Sequence, residues 1–262
     1  VMTEKVLNNK KNGMLVMLLL IVAYIVAVLL TVFGSIAMDN GNLIGLAMFI
    51  PGIIWIVIGW VPFLGLKVLK PQEALVLTLF GKYIGTLKDN GFYFVNPFCT
   101  AVNPAAKTKL NQSGDVKAAA AEATGMKMSL KIMTLSNNKQ KINDCLGNPV
   151  EIGIAVTWRV VDTAKAVFDV DNYKEFLSLQ CDAALRNIVR IYPYDVAPNV
   201  DTTGDGHADE GSLRGSSEVV AERIREEIQQ RVDEAGIEIV EARITYLAYA
   251  TEIAAVMLQR QQ

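Results

Sequence analysis

Ten consecutive residues, Asp201-Thr-Thr-Gly-Asp-Gly-His-Ala-Asp-Glu210, have the types and spacing to hold a hard cation. Carboxylates stand at the first, fifth and ninth places (Asp201, Asp205, Asp209), with Thr203 at the third. Gly206, at the sixth, supplies the sharp bend that lets alternate oxygens converge on calcium. The twelfth place, which takes a bidentate Glu in such loops, is Ser212, and no apolar-flanked helix pair brackets the segment. A weak calcium site and a hydrophilic acidic loop are the two readings, and the missing ligand favours the loop. His207, the only histidine, falls at the backbone-carbonyl place with no partner, which leaves it no acid–base or metal role. The three cysteines, Cys99, Cys145 and Cys181, are far apart and odd in number. They build neither a zinc ribbon nor a disulfide framework, and they fit small core residues in a reducing compartment. No Ser-His-Asp set, HExxH, P-loop or GxGxxG occurs. The expectation is a chain with no catalytic residue, metal or cofactor, whose work is done by binding and shape.

The elements that would position such surfaces begin in a membrane. Residues 12–66 hold two uncharged apolar runs, 13–38 and 43–66, separated by Asp39-Asn40-Gly41-Asn42. Each run exceeds the about 20 residues a helix needs to cross a hydrocarbon core, and both are too long for a signal-peptide h-region. The tetrapeptide is turn chemistry. Lys5, Lys10 and Lys11 precede the hairpin, Lys67, Lys70 and Lys82 follow it, and the turn has no Lys or Arg, so both ends are expected in the cytoplasm. Pro51-Gly52 and Pro62 weaken the second run's hydrogen bonding, so it is expected to kink, or to dip and return; full crossing fits the lysines better. Trp55 and Trp60 are placed for the inner interface. Gly41 and Gly45 carry the small-xxx-small packing spacing. No ionisable group lies inside either run, which counts against a transporter. The net charge of −2 gives no case for nucleic acid.

Beyond Leu66 the period changes. Residues 73–80, 83–87 and 92–95, separated by Gly81-Lys82 and Asn90-Gly91, read as a meander of short strands. Residues 127–135 and 139–146 read as paired strands around Ser136-Asn137-Asn138. Residues 150–161 alternate for a long half-buried strand, with Val150, Ile152, Ile154, Val156, Trp158 and Val160 on one side. Residues 162–168 make a short helix. Asn172 and Glu175 form a capping box that opens a helix over 173–192. Its stripe of Leu177, Cys181, Ala184, Leu185, Ile188 and Tyr192 packs inward, leaving Arg186 and Arg190 as solvated or interface residues. Ser216/Ser217 cap a further amphipathic helix that stops at Gly236, with Val220, Ile224, Ile228 and Val232 on its apolar face. Residues 105–125 look like an inserted surface loop whose Ala run could form a short helix; Asn111-Gln-Ser113 within it is a nominal glycosylation acceptor. Residues 251–262 are strong helix formers without a stop signal, which reads as a helix that continues.

Five stretches carry a resemblance. Lys70-Pro-Gln-Glu-Ala-Leu-Val-Leu-Thr-Leu-Phe-Gly81 followed by Gly91-Phe-Tyr-Phe-Val-Asn-Pro-Phe98 resembles the start of the SPFH (band 7) domain of stomatins, prohibitins, flotillins and the bacterial HflK/HflC type. Residues 144–161 resemble its central hairpin, and 183–189 and 235–244 its central helix and last strand. The resemblance implies an α/β (α+β) fold: a cytoplasmic segment 1–12, a membrane hairpin 13–66, and an SPFH domain 67–247 with a curved, mainly antiparallel sheet packed by helices. It contains the insertion 105–125 and the acidic loop 199–212, and a long C-terminal helix starts at 248–262. It implies a non-enzymatic scaffold in the cell membrane that assembles into large homo-oligomeric rings or cages. These would enclose membrane lipid, organise a microdomain and regulate an AAA+ membrane protease or other membrane proteins. The membrane-anchoring residues expected are Trp55, Trp60, Pro51, Pro62 and Lys67. The competing reading is a calcium-responsive or channel-modulating membrane module.

Overall fold

The computed structural model describes residues 3–8, 11–110, 116–118, 126–137, 139–195 and 211–252. The chain divides into two units: an anchor unit of Lys5–Val102 with Met126–Met128, and a sheet unit drawn from Val1–Glu4, Asn103–Gly125 and Ser129–Gln262.

In the anchor unit, helix α1 (Gly13–Asp39) and helix α2 (Ile44–Ile58) form an antiparallel pair. The hydroxyls of Thr31 and Ser35 donate to the carbonyls of Val28 and Val32, both at 2.8 Å, so neither is left unpaired among apolar neighbours. The helix seam is built from small residues. A Cβ on Gly34 would meet the Phe49 amide at 2.8 Å and the Gly45 carbonyl at 2.9 Å; one on Gly52 would meet Thr31 Cγ2 at 2.6 Å and the Ala27 carbonyl at 2.9 Å. The close-approach residues are therefore Ala27 and Gly34 against Gly52 and Gly45, seven apart on each helix. Gly41 is not among them: it has φ +74° and open space around it, because it makes the turn. The Gly41–Gly45 spacing thus mixes a turn residue with a packing residue. Helix α2 continues through Pro51 and is followed by a 3-10 turn, Val61–Gly65, with Pro62 in its first turn.

Strand β1 (Leu66–Leu69) leaves that turn. Strands β2 (Glu73–Leu79) and β3 (Lys82–Leu87) form a hairpin across Phe80-Gly81, both at positive φ (49° and 82°), the twist a two-residue turn requires. Strand β4 (Gly91–Phe94) does not continue a meander. It pairs antiparallel with β1, Leu66 opposite Phe94, because the chain after Leu87 turns back to the strand that leaves the helices. Strand β5 (Cys99–Ala101) then pairs with β2. Leu69, Leu75, Leu77, Leu87, Tyr93, Val95 and Cys99 form the core.

In the sheet unit, β6 (Thr108–Leu110) pairs with β7 (Val116–Ala118), so the inserted segment is built on paired strands rather than a plain loop. Lys174 Nζ donates to the carbonyls of Ala105 (3.1 Å) and Thr108 (2.6 Å), and Asn172 to the Thr108 hydroxyl at 2.8 Å, which fixes its base. After β8 (Met128–Ser129), which pairs with β2, β9 (Met133–Ser136) and β10 (Gln140–Asn143) do not pair with each other. Both lie along one edge of β11 (Pro149–Val160), Ser136 opposite Ala155 and Gln140 opposite Ile152, as one strand with an irregularity between. The long alternating β11 provides partners for both, and a tight turn at 136–138 would have left half of that edge open. Helices α3 (Thr163–Phe168) and α4 (Tyr173–Val189) follow; Asn172 Oδ1 accepts from the amides of Lys174 and Glu175. The α4 stripe is buried, as is the Val220, Ile224, Ile228, Val232 stripe of α5 (Ser217–Val232). Ser216 holds the N-cap position of α5, yet its side chain makes no capping bond. Strand β12 (Ile237–Tyr249) pairs with β11. It follows Gly236, φ +63°, where a Cβ would strike the Asp162 carbonyl.

Candidate membrane-anchoring site

Helix α1 has 27 residues, about 40 Å of helix at 1.5 Å per residue. Helix α2 has 15, about 22 Å, short of the about 30 Å hydrocarbon core. The 3-10 turn adds about 2 Å per residue, so the second leg reaches across only if Val61–Gly65 is included. Only 11 % of the apolar window of α1 and 17 % of that of Ile44–Gly65 are buried, so the pair is not the inside of a soluble core. Trp55 and Trp60 are exposed on the second leg, at 38 % and 55 %. Pro51 stays inside α2, and Tyr24 on α1 packs its ring 5.9 Å from Phe63. The Tyr24 hydroxyl donates to the Ile56 carbonyl at 3.4 Å. Lys67 sits in β1 opposite Tyr93.

Two features of this unit escaped sequence reasoning. The first is a bridge between the N-terminal segment and β3: the Leu7 amide donates to the Thr86 carbonyl at 2.8 Å, and the Thr86 amide to the Lys5 carbonyl at 2.8 Å. Gly85, at φ +154°, makes room, since a Cβ there would meet Leu7 Cγ at 2.6 Å. The residues just before α1 and the sheet just after the second leg are hydrogen-bonded to each other. Lys5–Leu7 is too short and mixed to show strand character, and no local pattern names Thr86 as its partner. The second is an aromatic pair, Phe80 and Phe98, 85 % and 59 % exposed with rings stacked 6.3 Å apart. Strand β4 runs antiparallel to β1, back toward the point where the chain leaves the helices. The Val95 amide donates to the Gly65 carbonyl at 2.9 Å. Phe98 is three residues further on, so the pair lies at the end of the sheet nearest that exit.

The remaining chemistry is structural. Burial pushes the Cys99 and Cys181 thiols up, away from thiolate, and Cys145 is half-buried and outside any disulfide. Burial raises Tyr173 to about 12 and lowers Lys174, which is held by carbonyls rather than a carboxylate. Burial alone would raise Glu73, but its bonds from the Lys70 amide (3.1 Å) and Lys127 (3.2 Å) hold it below the usual range. The calcium-loop candidates Asp201, Thr203, Asp205 and Asp209, with His207, and the acceptor Asn111 lie outside the described residues. Among the described residues, no group of three or more His, Cys, Asp or Glu side chains could hold a metal ion.

The SPFH domain / Band 7 family profile matches residues 67–262. No curated protein is significantly similar to the chain.

Proposed function

The chain belongs to the SPFH domain / Band 7 family, and on that premise we propose that it is a membrane scaffold that self-assembles into a large ring or cage. Members of this family are membrane-associated, oligomeric and generally non-enzymatic. The observation that carries the reading is the anchor unit itself, where two apolar helices and the first sheet are tied by the Lys5–Leu7 bridge to Thr86. With both ends of the hairpin on one face, the lysines flanking it favour the cytoplasmic side. A domain held at one height on a membrane loses little further orientational freedom on meeting its neighbours, so weak lateral contacts suffice for assembly. Trp55, Trp60 and Lys67 sit at the interface in this reading, and Pro51 and Pro62 shape the second leg. The exposed Phe80–Phe98 pair adds an apolar contact with the same leaflet. The assembly would organise a patch of lipid and regulate a membrane protease, of the AAA+ type, or other membrane proteins.

Sedimentation and negative-stain imaging of the full chain in nanodiscs test the proposal. Large closed particles are expected; a monomer or dimer refutes it. Protease access to the sheet units in intact cells tests the orientation.

A further inference from the structure

We propose that two oppositely charged clefts at opposite edges of the β10–β11–β12 sheet are the two halves of a head-to-tail contact between copies of this chain. This rests on the scaffold reading above and names the surface that would build it.

The first cleft, about 550 Å³, lies between β10 and the last turn of α4. Lys141, Arg186 and Arg190 line it. Its one carboxylate, Asp144, is spent inward: one oxygen accepts from the amides of Leu146 (3.0 Å) and Asn148 (2.8 Å), the other from the Asn148 side chain and the Tyr194 amide, both at 3.2 Å. Among the described residues Arg186 gives only Nε to Gln140, at 3.2 Å, with its outer nitrogens turned to no other partner there. Arg190, one helical turn on, has no ion pair among the described residues. Lys141 is the partly compensated member, bridged to Glu252 and, at 3.9 Å, to Glu151. Two aliphatic side chains flank the cleft, Leu146 (53 % exposed) and Ile191 (56 %).

The second cleft, about 390 Å³, lies at the other edge, between the first turns of α5 and β12. Glu218, Glu222 and Glu241 line it, with one cation, Arg243, among them. Arg225 compensates Glu222 (2.6 Å) and Arg243 compensates Glu241 (2.6 Å), while Glu218 has no ion pair among the described residues. It too is flanked by exposed aliphatics, Val219 and Val240. Just before it, the Gln229 side chain closes the β12 edge by accepting from the Ile239 amide (2.7 Å) and donating to the Ile237 carbonyl (2.9 Å). The edge is therefore sealed along its start.

Each cleft sets charged groups beside exposed aliphatics, so charge complementarity rather than a hydrophobic core would direct the contact. The two clefts are lined by different strands, β10 and β12, on either side of β11, so their opposite signs can meet across copies. A contact between different patches propagates head to tail and closes into a ring when its rotation divides the circle. Like charges would oppose any pairing of a cleft with its own kind, which fixes the direction of assembly.

The test is a charge swap on the full chain in nanodiscs. Wild type is expected as closed particles that loosen as salt rises toward roughly 1 M, where the screening length falls to about 3 Å. Arg186→Glu with Arg190→Glu, or Glu218→Lys with Glu222→Lys, should each collapse the particles to monomers or short arcs, with unchanged thermal midpoints. Co-expressing the two double variants should restore closed particles, because the reversed faces now match. Arg186→Gln with Arg190→Gln serves as the milder check if a reversal lowers the midpoint, and should still shorten the particles. Closed particles that survive the reversals, or double variants that fail to rescue each other, overturn the contact while leaving assembly intact. A wild-type chain that stays monomeric overturns the scaffold reading and this contact with it.

Discussion

Replacing Gly45 by Ala should pry the helix pair apart. The new methyl would land 2.6 Å from the Gly34 carbonyl oxygen and 2.7 Å from the Met38 amide nitrogen, both backbone atoms of α1 that no rotamer change can move. Ordinary contact begins near 3.4 Å, so the helices must separate by about 0.8 Å, which forfeits about a quarter to a half of the dispersion energy of the facing pairs. Overpacking of this kind costs about 1–3 kcal/mol. The gain in helix propensity from Gly to Ala offsets about 0.5–1 kcal/mol, which leaves a net loss of about 1–2 kcal/mol. Gly52→Ala should cost less, because its nearest obstacle, Thr31 Cγ2, belongs to a side chain that can turn. Ser35→Ala, on the exposed side of α1, is the neutral comparison. Titration of the full chain with SDS in mixed micelles, followed by Trp55 and Trp60 emission in a Trp158→Phe background, gives the midpoints. If Gly45→Ala raised the midpoint above wild type, propensity would outweigh packing and the small-residue seam would be wrong.

The N-terminal bridge gives a second expectation. Gly85→Ala should displace Leu7 and speed tryptic cleavage after Lys5, Lys10 and Lys11 by about tenfold, the equivalent of about 1.4 kcal/mol of local opening; unchanged cleavage would mean that the bridge does not hold the segment. Phe80 occupies a left-handed conformation that a bulky residue adopts at a cost of about 1–3 kcal/mol. Phe80→Gly should therefore raise the unfolding midpoint while weakening retention of the chain on the bilayer, and a lowered midpoint would contradict the strain argument. Burial holds the Tyr173 hydroxyl protonated up to about 12, whereas in the unfolded chain it ionises near 10. Its folded pKa is raised, so this contribution is complete below pH 10 and is lost between pH 10 and 12 at about 1.4 kcal/mol per pH unit. Denaturant titrations at high pH should show that slope in wild type and lack it in Tyr173→Phe. In the folded protein a maleimide should label half-buried Cys145 ahead of Cys99 and Cys181; equal labelling of all three would contradict their burial.

Elements whose signal is local were readable along the chain. The apolar runs declare helices α1 and α2 through length alone, and the six alternating residues of β11 declare a half-buried strand through period. The Asn172 cap, the α4 and α5 stripes and the stop at Gly236 follow from backbone groups that need partners within a turn or two. Pairing across distance was not readable. The spacing around Asn90-Gly91 fits a hairpin between β3 and β4, yet β4 pairs with β1, a choice settled by which edge is open after the chain leaves the helices. The turn chemistry at Ser136-Asn137-Asn138 fits a hairpin as well, yet β9 and β10 share one edge of the longer β11. The glycine seam behaves the same way. Residues 34, 45 and 52 are ordinary members of apolar runs until a facing backbone comes within van der Waals range. Arg186 and Arg190 were legible as off-stripe charges on their helix, whereas Glu218 and Glu222 carried no such signal. Gathering them into clefts at opposite sheet edges took the packing of α4 beside β10 and of α5 beside β12. Periodicity and capping act over a few residues and are written in the sequence. Edge pairing, close approach and charge convergence depend on which distant backbones meet, and the packed core decides that.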